Sequence, residues 1–193
     1  MNPLPLLIFA KAPISGQVKT RLIPALGADG ACALYTRLLR HTLMQTAAWP
    51  GQRFLYCAPD TQHPTLLALA KAFNLQLRSQ HGEDLGMRMH NALAEHPGGA
   101  LLIGTDCPEL TCSHLHQAAD ALVNRHSVFL PSEDGGYVLV GQQSAHPAPF
   151  TDMRWSQPDV MAQSLLRLEA AGLSTWLGPT LWDLDEPADL PRL

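Results

Sequence analysis

Lys11, Lys19 and Arg21 stand close together in the stretch FAKAPISGQVKTRL, and no acidic residue precedes Asp29. Unopposed cations in a loop shaped by Pro13 and Gly16 suit an anion, above all a phosphate chain. Arg grips phosphate oxygens in pairs and Lys supplies a compact charge. A solvated basic loop is the plain alternative. The whole chain carries a net charge of −4, so the basicity is local. A general nucleic-acid-binding surface, which is usually strongly basic, is not expected. The loop matches neither GxxxxGK[ST] nor GxGxxG, which argues against a Walker phosphate loop and a standard nicotinamide or flavin site.

The acids are grouped too. LLIGTDCPEL runs from apolar residues through Gly104 to Asp106. An acid at such a strand end either caps the next turn or ligates Mg²⁺ or Mn²⁺, which take carboxylate and phosphate oxygens together. Glu109 is expected in the first turn of the next helix, where the helix dipole favours it. In WDLDEPADL, Asp183 and Asp185 lie two residues apart in an extended segment and share a face. Two such carboxylates repel unless a cation or open solvent separates them.

HGEDLGMRMHNAL places Gly82 and Gly86 around two acids, Asp84 among them, and then opens a helix. Its backbone amides suit a base, sugar or phosphate. Arg88 either pairs with Asp84 or faces a ligand. SEDGGY is either a tight turn or a cleft edge, with Asp134 projecting and Gly135 and Gly136 needed for their backbone freedom. No Ser-His-Asp or Cys-His arrangement stands out, so covalent catalysis is poorly supported. Cys107, Cys112, His114 and His116 do not form a zinc set: with Thr111 as N-cap, the two histidines sit two apart on a helix and diverge.

The elements that must position these groups follow from periodicity. Strands are expected at Leu4–Ala10, Arg53–Cys57, Leu75–Arg78, Ala100–Thr105, Val128–Leu130, Tyr137–Val140 and Ser174–Leu177. Helices are expected near Asp29–Ala48, His63–Phe73, Gly86–His96, Cys112–Asn124 and Pro158–Ala171, with Asp29 as an N-cap and Gly172 as a stop. This alternation indicates an α/β fold with a mostly parallel sheet, helices on both faces and one antiparallel element after the Pro131–Gly136 turn. With 193 residues, 46% apolar and 16% charged, the chain is long enough for one domain with a substantial core. Leu4–Ala10 is short, contains Pro5 and follows no cation, so it reads as a buried strand rather than an export signal. No stretch approaches a membrane span, and the chain is expected to be cytoplasmic. Ligands in an open parallel sheet collect beyond the carboxyl ends of the strands. That edge carries both the cations and Asp106.

The combined pieces FAKAP–SG–VKTRL, DLG–RM, IGTDCPEL, DGGY and DLDEPADL resemble a bacterial family of glycosyltransferase-A-like proteins. It is described as DUF2064 or as radical-SAM/selenobiotic-domain-associated transferases. The resemblance runs from about Leu6 to Leu190. More distantly the chain is similar to phospholactate and molybdenum-cofactor guanylyltransferases. It implies a single-domain nucleotide-diphospho-sugar transferase (GT-A, Rossmann-like) fold over residues 1–193. Catalytic roles fall on Lys19, Arg21 and Asp106. Nucleotide and phosphate contacts fall on Lys11, Gly16, Lys19, Arg21, Gly82, Asp84, Gly86 and Arg88. The acceptor side of the cleft is assigned Asp134, Gly135, Gly136, Tyr137 and Trp155. A Mg²⁺ or Mn²⁺ would be held by Asp106 with Asp183 or Asp185. Ser15, Leu130 and Glu186 depart from the family's usual Pro, Gly and Thr.

The expected activity is metal-dependent transfer from a nucleotide-activated donor to a small-molecule acceptor. Nucleotidyl transfer from an NTP is preferred. Glycosyl transfer from a nucleotide sugar is the alternative, and a non-catalytic nucleotide-binding module is a third. No nucleic-acid or membrane partner is expected.

Overall fold

A computed structural model describes residues 3–193 of the chain. Seven strands form one sheet: β1 (Leu6–Lys11), β2 (Arg53–Ala58), β3 (Gln76–Ser79), β4 (Ala100–Ile103), β5 (Ser127–Pro131), β6 (Tyr137–Gln142) and β7 (Thr175–Leu177). Their spatial order is β3-β2-β1-β4-β6-β5-β7. Pairing is parallel except at β6, which runs antiparallel to both β4 and β5. The expected hairpin is therefore present, and its second arm is inserted between β4 and β5.

Five helices cover the sheet: α1 (Ile23–Gln45), α2 (Pro64–Phe73), α3 (Leu85–Ala94), α4 (Cys112–Leu122) and α5 (Val160–Ala170). Alternation along the strands sorts the core into two layers. Leu6, Ile8, Leu55, Leu101 and Ile103 pack with residues of α1, α2 and α4 on one face. Leu7, Phe9, Phe54, Tyr56 and Leu102 pack with residues of α3 and α5 on the other. β1 and β4 are adjacent central strands, so the loops that follow them leave the same edge side by side.

Some local expectations need correcting. The first helix begins at Ile23, before Asp29, and Gly27 interrupts it with φ 70° and ψ 166°. Asp29 lies within it and accepts a hydrogen bond from Ser15 Oγ at 2.6 Å, so it ties down the basic loop instead of capping the helix. Glu109 precedes α4, and its Oε2 accepts the Trp182 backbone N–H at 3.2 Å. Thr111 does cap α4, in a box with the His114 ring, while His116 stacks on Trp49. Gly172 ends the last helix with φ 69°. Among the described residues no helix is long and apolar enough to cross a membrane.

Candidate functional site

Lys19 is the pivot of the edge beyond β1 and β4. Its backbone is left-handed, φ 49° and ψ 43°, a conformation that costs a side-chain-bearing residue about 1 kcal/mol. Leu22, fully buried as the third residue of the next turn, anchors the chain in that path. The consequence is that the lysine points inward. Its ammonium lies 2.9 Å from Asp106 Oδ1 and 3.7 Å from Asp185 Oδ1, and it also donates to the Leu184 carbonyl. Asp106 Oδ1 has no aligned hydrogen bond, so its contact with Lys19 is an ion pair whose directions are unmet.

The acids of the closing segment arrive by packing. Trp182 and Leu184 are buried against Leu22, Ala31, Leu34 and Leu38, next to α1. Leu184 N–H also donates to the Asp106 carbonyl at 2.8 Å. Asp183 and Asp185, alternating with those two apolar residues, both line the cleft. Asp185 Oδ2 accepts from Arg21 Nη1 at 2.5 Å; the arginine is half exposed. Asp183 is pushed up to about 6 by burial first, then by the Asp134 and Asp106 carboxylates, against the pull of Lys19. Negative charge here exceeds the cations that face it. Across the cleft Asp134 accepts Gly136 N–H at 2.9 Å and the Ser132 hydroxyl. Cys107, next to Asp106, is pushed up to about 12 chiefly by burial and stays a protonated, inert thiol.

The strand ends beneath this edge are clamped by side chains. Tyr35 Oη accepts the Lys11 N–H at 2.7 Å and donates to the Lys11 carbonyl at 3.0 Å. Gln80 Nε2 donates to the carbonyls of Ala10 and Tyr56. The resulting cleft has a volume of about 510 Å³. A smaller cavity of about 250 Å³, lined by Lys11, Gln17, Gln80 and Arg88 among others, shares its first three residues with the cleft.

The family described as "Uncharacterized protein conserved in bacteria (DUF2064)" matches residues 42–157. The chain belongs to this family. Among solved structures, the DUF2064 chain is similar to a provisionally named nucleotide-diphospho-sugar transferase from Desulfovibrio desulfuricans G20. The two are 28% identical, with 96% of this chain and 84% of that chain covered and a TM-score of 0.86. A CMP-2-keto-3-deoxy-manno-octonic acid synthetase complexed with CTP shares the fold at 13% identity, 99% and 96% coverage and a TM-score of 0.62. So does glucosyl-3-phosphoglycerate synthase from Mycobacterium tuberculosis, complexed with Mn²⁺, UDP and glucosyl-3-phosphoglycerate. There identity is 8%, coverage 99% and 75%, and the TM-score 0.58. No curated protein matches the sequence. The sheet of this DUF2064 protein is thus the GT-A type anticipated from its motifs.

Of the residues singled out in the sequence, Lys11, Lys19, Arg21, Asp106, Asp134, Gly136, Tyr137, Trp155, Asp183 and Asp185 line the one cleft. Others stand elsewhere. Asp84 caps α3 by accepting Met87 N–H at 2.8 Å. Gly82 accepts Arg88 Nε–H at 3.0 Å, so Arg88 pairs with a carbonyl rather than with Asp84 and faces the smaller cavity. A Cβ on Gly86 would meet the Trp155 ring at 2.6 Å, and one on Gly135 the Pro158 carbonyl oxygen at 1.9 Å. These two glycines admit neighbouring parts of the protein. Gly16 supplies a turn, φ 79°, with open space around it. Sequence reasoning missed Tyr35 and Gln80. Tyr35 falls on the apolar stripe of α1 and reads as core; only the fold turns its hydroxyl to β1.

Proposed function

We propose that this chain is one domain acting as a metal-dependent transferase on a nucleotide-activated donor, with nucleotidyl transfer from an NTP as the reaction. The observation that carries the proposal is the meeting of Lys19, Arg21, Asp106, Asp183 and Asp185 in one cleft at the carboxyl ends of β1 and β4. Arg21 and the exposed Lys11 would hold the phosphate chain. Lys19, already held between Asp106 and Asp185, would fix the distance between the basic loop and the acids. The acceptor oxygen would displace pyrophosphate at the α-phosphorus, and the cations would stabilise the negative charge on the departing group.

The residues also suit a divalent cation. Among the described residues no three His, Cys, Asp or Glu side chains form a ready cage. Yet burial first, and then the Asp134 and Asp106 carboxylates, raise Asp183, and among the described residues no cation pairs with it directly. Hard-cation sites of this kind use one or two carboxylates and complete their shell with substrate phosphates. Asp106 and Asp183 would hold the ion. Asp185 is the weaker candidate because Arg21 already occupies its Oδ2. Bound Mg²⁺ or Mn²⁺ would supply neutralisation of phosphate charge.

Glycosyl transfer is the second reading, favoured by the likeness to the 28%-identical nucleotide-diphospho-sugar transferase. A thermal-shift panel of NTPs and UDP-, GDP- and dTDP-sugars, with and without Mn²⁺, separates the two. Stabilisation by NTPs alone supports nucleotidyl transfer, and stabilisation by a sugar nucleotide supports glycosyl transfer. Asp106→Ala should abolish the Mn²⁺-dependent part, and an unchanged metal response in that variant would refute the assignment.

A further inference from the structure

Besides the cations and the acids of the closing segment, Met89, Tyr137, Trp155 and Val160 line the cleft. Two of these residues belong to a chain of edge-to-face aromatic contacts. Trp155 lies edge-on to Tyr137 at 6.5 Å and 80°, and Tyr137 edge-on to the buried Phe129 at 5.0 Å and 72°. The missing side chain of Gly86 makes room for the Trp155 ring on α3. The indole Nε1–H is buried and finds no acceptor among the described residues, and buried indole donors usually have one. Leu85, an exposed residue at the mouth, also lines the cleft.

We infer that this wall is the acceptor subsite and that the acceptor carries an apolar, ring-sized body beside its reacting oxygen, seated against Trp155 and Tyr137. The inference rests on the function proposed above and names a substrate class for it. The smaller cavity, with Lys11, Gln80 and Arg88, offers polar groups for the rest of the donor, and it shares Lys11, Gln17 and Gln80 with the cleft. A donor extending that way leaves the aromatic wall free for the second substrate. Preformed rings bind an apolar body without the entropy of ordering themselves.

Calorimetric titration of phenyl phosphate and methyl phosphate in the presence of Mn²⁺ tests this, on the wild type and on Trp155→Ala and Trp155→Phe. Phenyl phosphate should bind wild type about fivefold or more tighter than methyl phosphate, the size of one aromatic contact. The ratio should fall toward unity in Trp155→Ala and persist in Trp155→Phe. Leu85→Ser, at an exposed position tolerant of change, should lower the ratio without touching the fold. Affinity for the NTP or sugar nucleotide should be the same in all four proteins. Equal binding of the two phosphates by wild type, or a ratio indifferent to Trp155→Ala, overturns the inference. So does a loss of nucleotide affinity in Trp155→Ala, which would put the base against the wall. A phenyl preference with no metal-dependent nucleotide binding would sink the proposed function and leave the apolar site standing; the converse result would do the reverse.

Discussion

Lys19 Nζ lies 2.9 Å from Asp106 Oδ1, although one residue follows β1 and the other follows β4. The pair exists because those strands are neighbours in the sheet. Its side chains are unequal: the lysine is 3% exposed and the aspartate 44%. Removing the lysine would leave Asp106, Asp185 and the Leu184 carbonyl without their shared donor. Lys19→Ala is expected to cost about 2 kcal/mol or more in urea unfolding. Lys19→Gly should cost about 1 kcal/mol less, because glycine adopts the left-handed backbone freely. Equal midpoints for the two variants would show that the backbone at residue 19 carries no strain.

Arg21 offers the opposite case. Its pair with Asp185 is short but half exposed, and exposed ion pairs contribute about 0–1 kcal/mol. Arg21→Ala should leave the melting temperature nearly unchanged while lowering nucleotide affinity about tenfold or more, as befits a lost charge-assisted contact. A variant that melts early and binds normally would move Arg21 from the phosphate site to the scaffold.

Asp183 sets a pH dependence of definite sign. Its pKa is raised from 3.8 to about 6 in the folded protein, by burial and then by Asp134 and Asp106. The folded state therefore holds that proton more tightly than the unfolded state does. The stabilisation is full below about pH 4 and is lost as pH rises through about 6. Asp183→Asn should flatten this part of the stability–pH profile and raise the melting temperature at pH 7.5. The same change should weaken the Mn²⁺ response to nucleotide. If the variant melts lower than wild type at pH 7.5, the ionised Asp183 carboxylate does not cost the fold stability through burial and its acidic neighbours.

Gly135 tests the turn that presents Asp134. It has φ 88°, and an added Cβ would sit 1.9 Å from the Pro158 carbonyl oxygen. Gly135→Ala combines backbone strain with a contact that backbone alone must relieve, and about 3 kcal/mol or more should be lost. Gly16→Ala has the same sign of φ but open space, so it should cost only the strain, about 1 kcal/mol. Guanidinium unfolding of both variants checks the difference.

Much of the scaffold could be read from residue patterns. Runs such as LLIFAK and ALLI are apolar on both faces, as central strands covered by two helix layers must be. The Pro131–Gly136 turn indicated the reversed strand, though nothing local says that its second arm inserts beside β4. The start of the first helix was misread because Asp29 resembles a cap, whereas the chain enters helix earlier and breaks at Gly27. Glycine was the least legible residue type. Gly86 and Gly135 looked like places for a ligand to approach, yet each makes room for a ring or a carbonyl of the protein itself.

Residue types and spacing by themselves determined the chemistry on offer: an unopposed basic loop after the first strand, an acid after the fourth, and two carboxylates on one face of the closing segment. Those are local properties, and local periodicity is enough to specify them. Only the tertiary structure decided which groups meet. Burial of Trp182 and Leu184 against the first helix delivers Asp183 and Asp185 to the cleft, and the left-handed turn at Lys19 swings its ammonium between Asp185 and Asp106. Contacts between such distant stretches follow from strand order and packing, which no single stretch encodes.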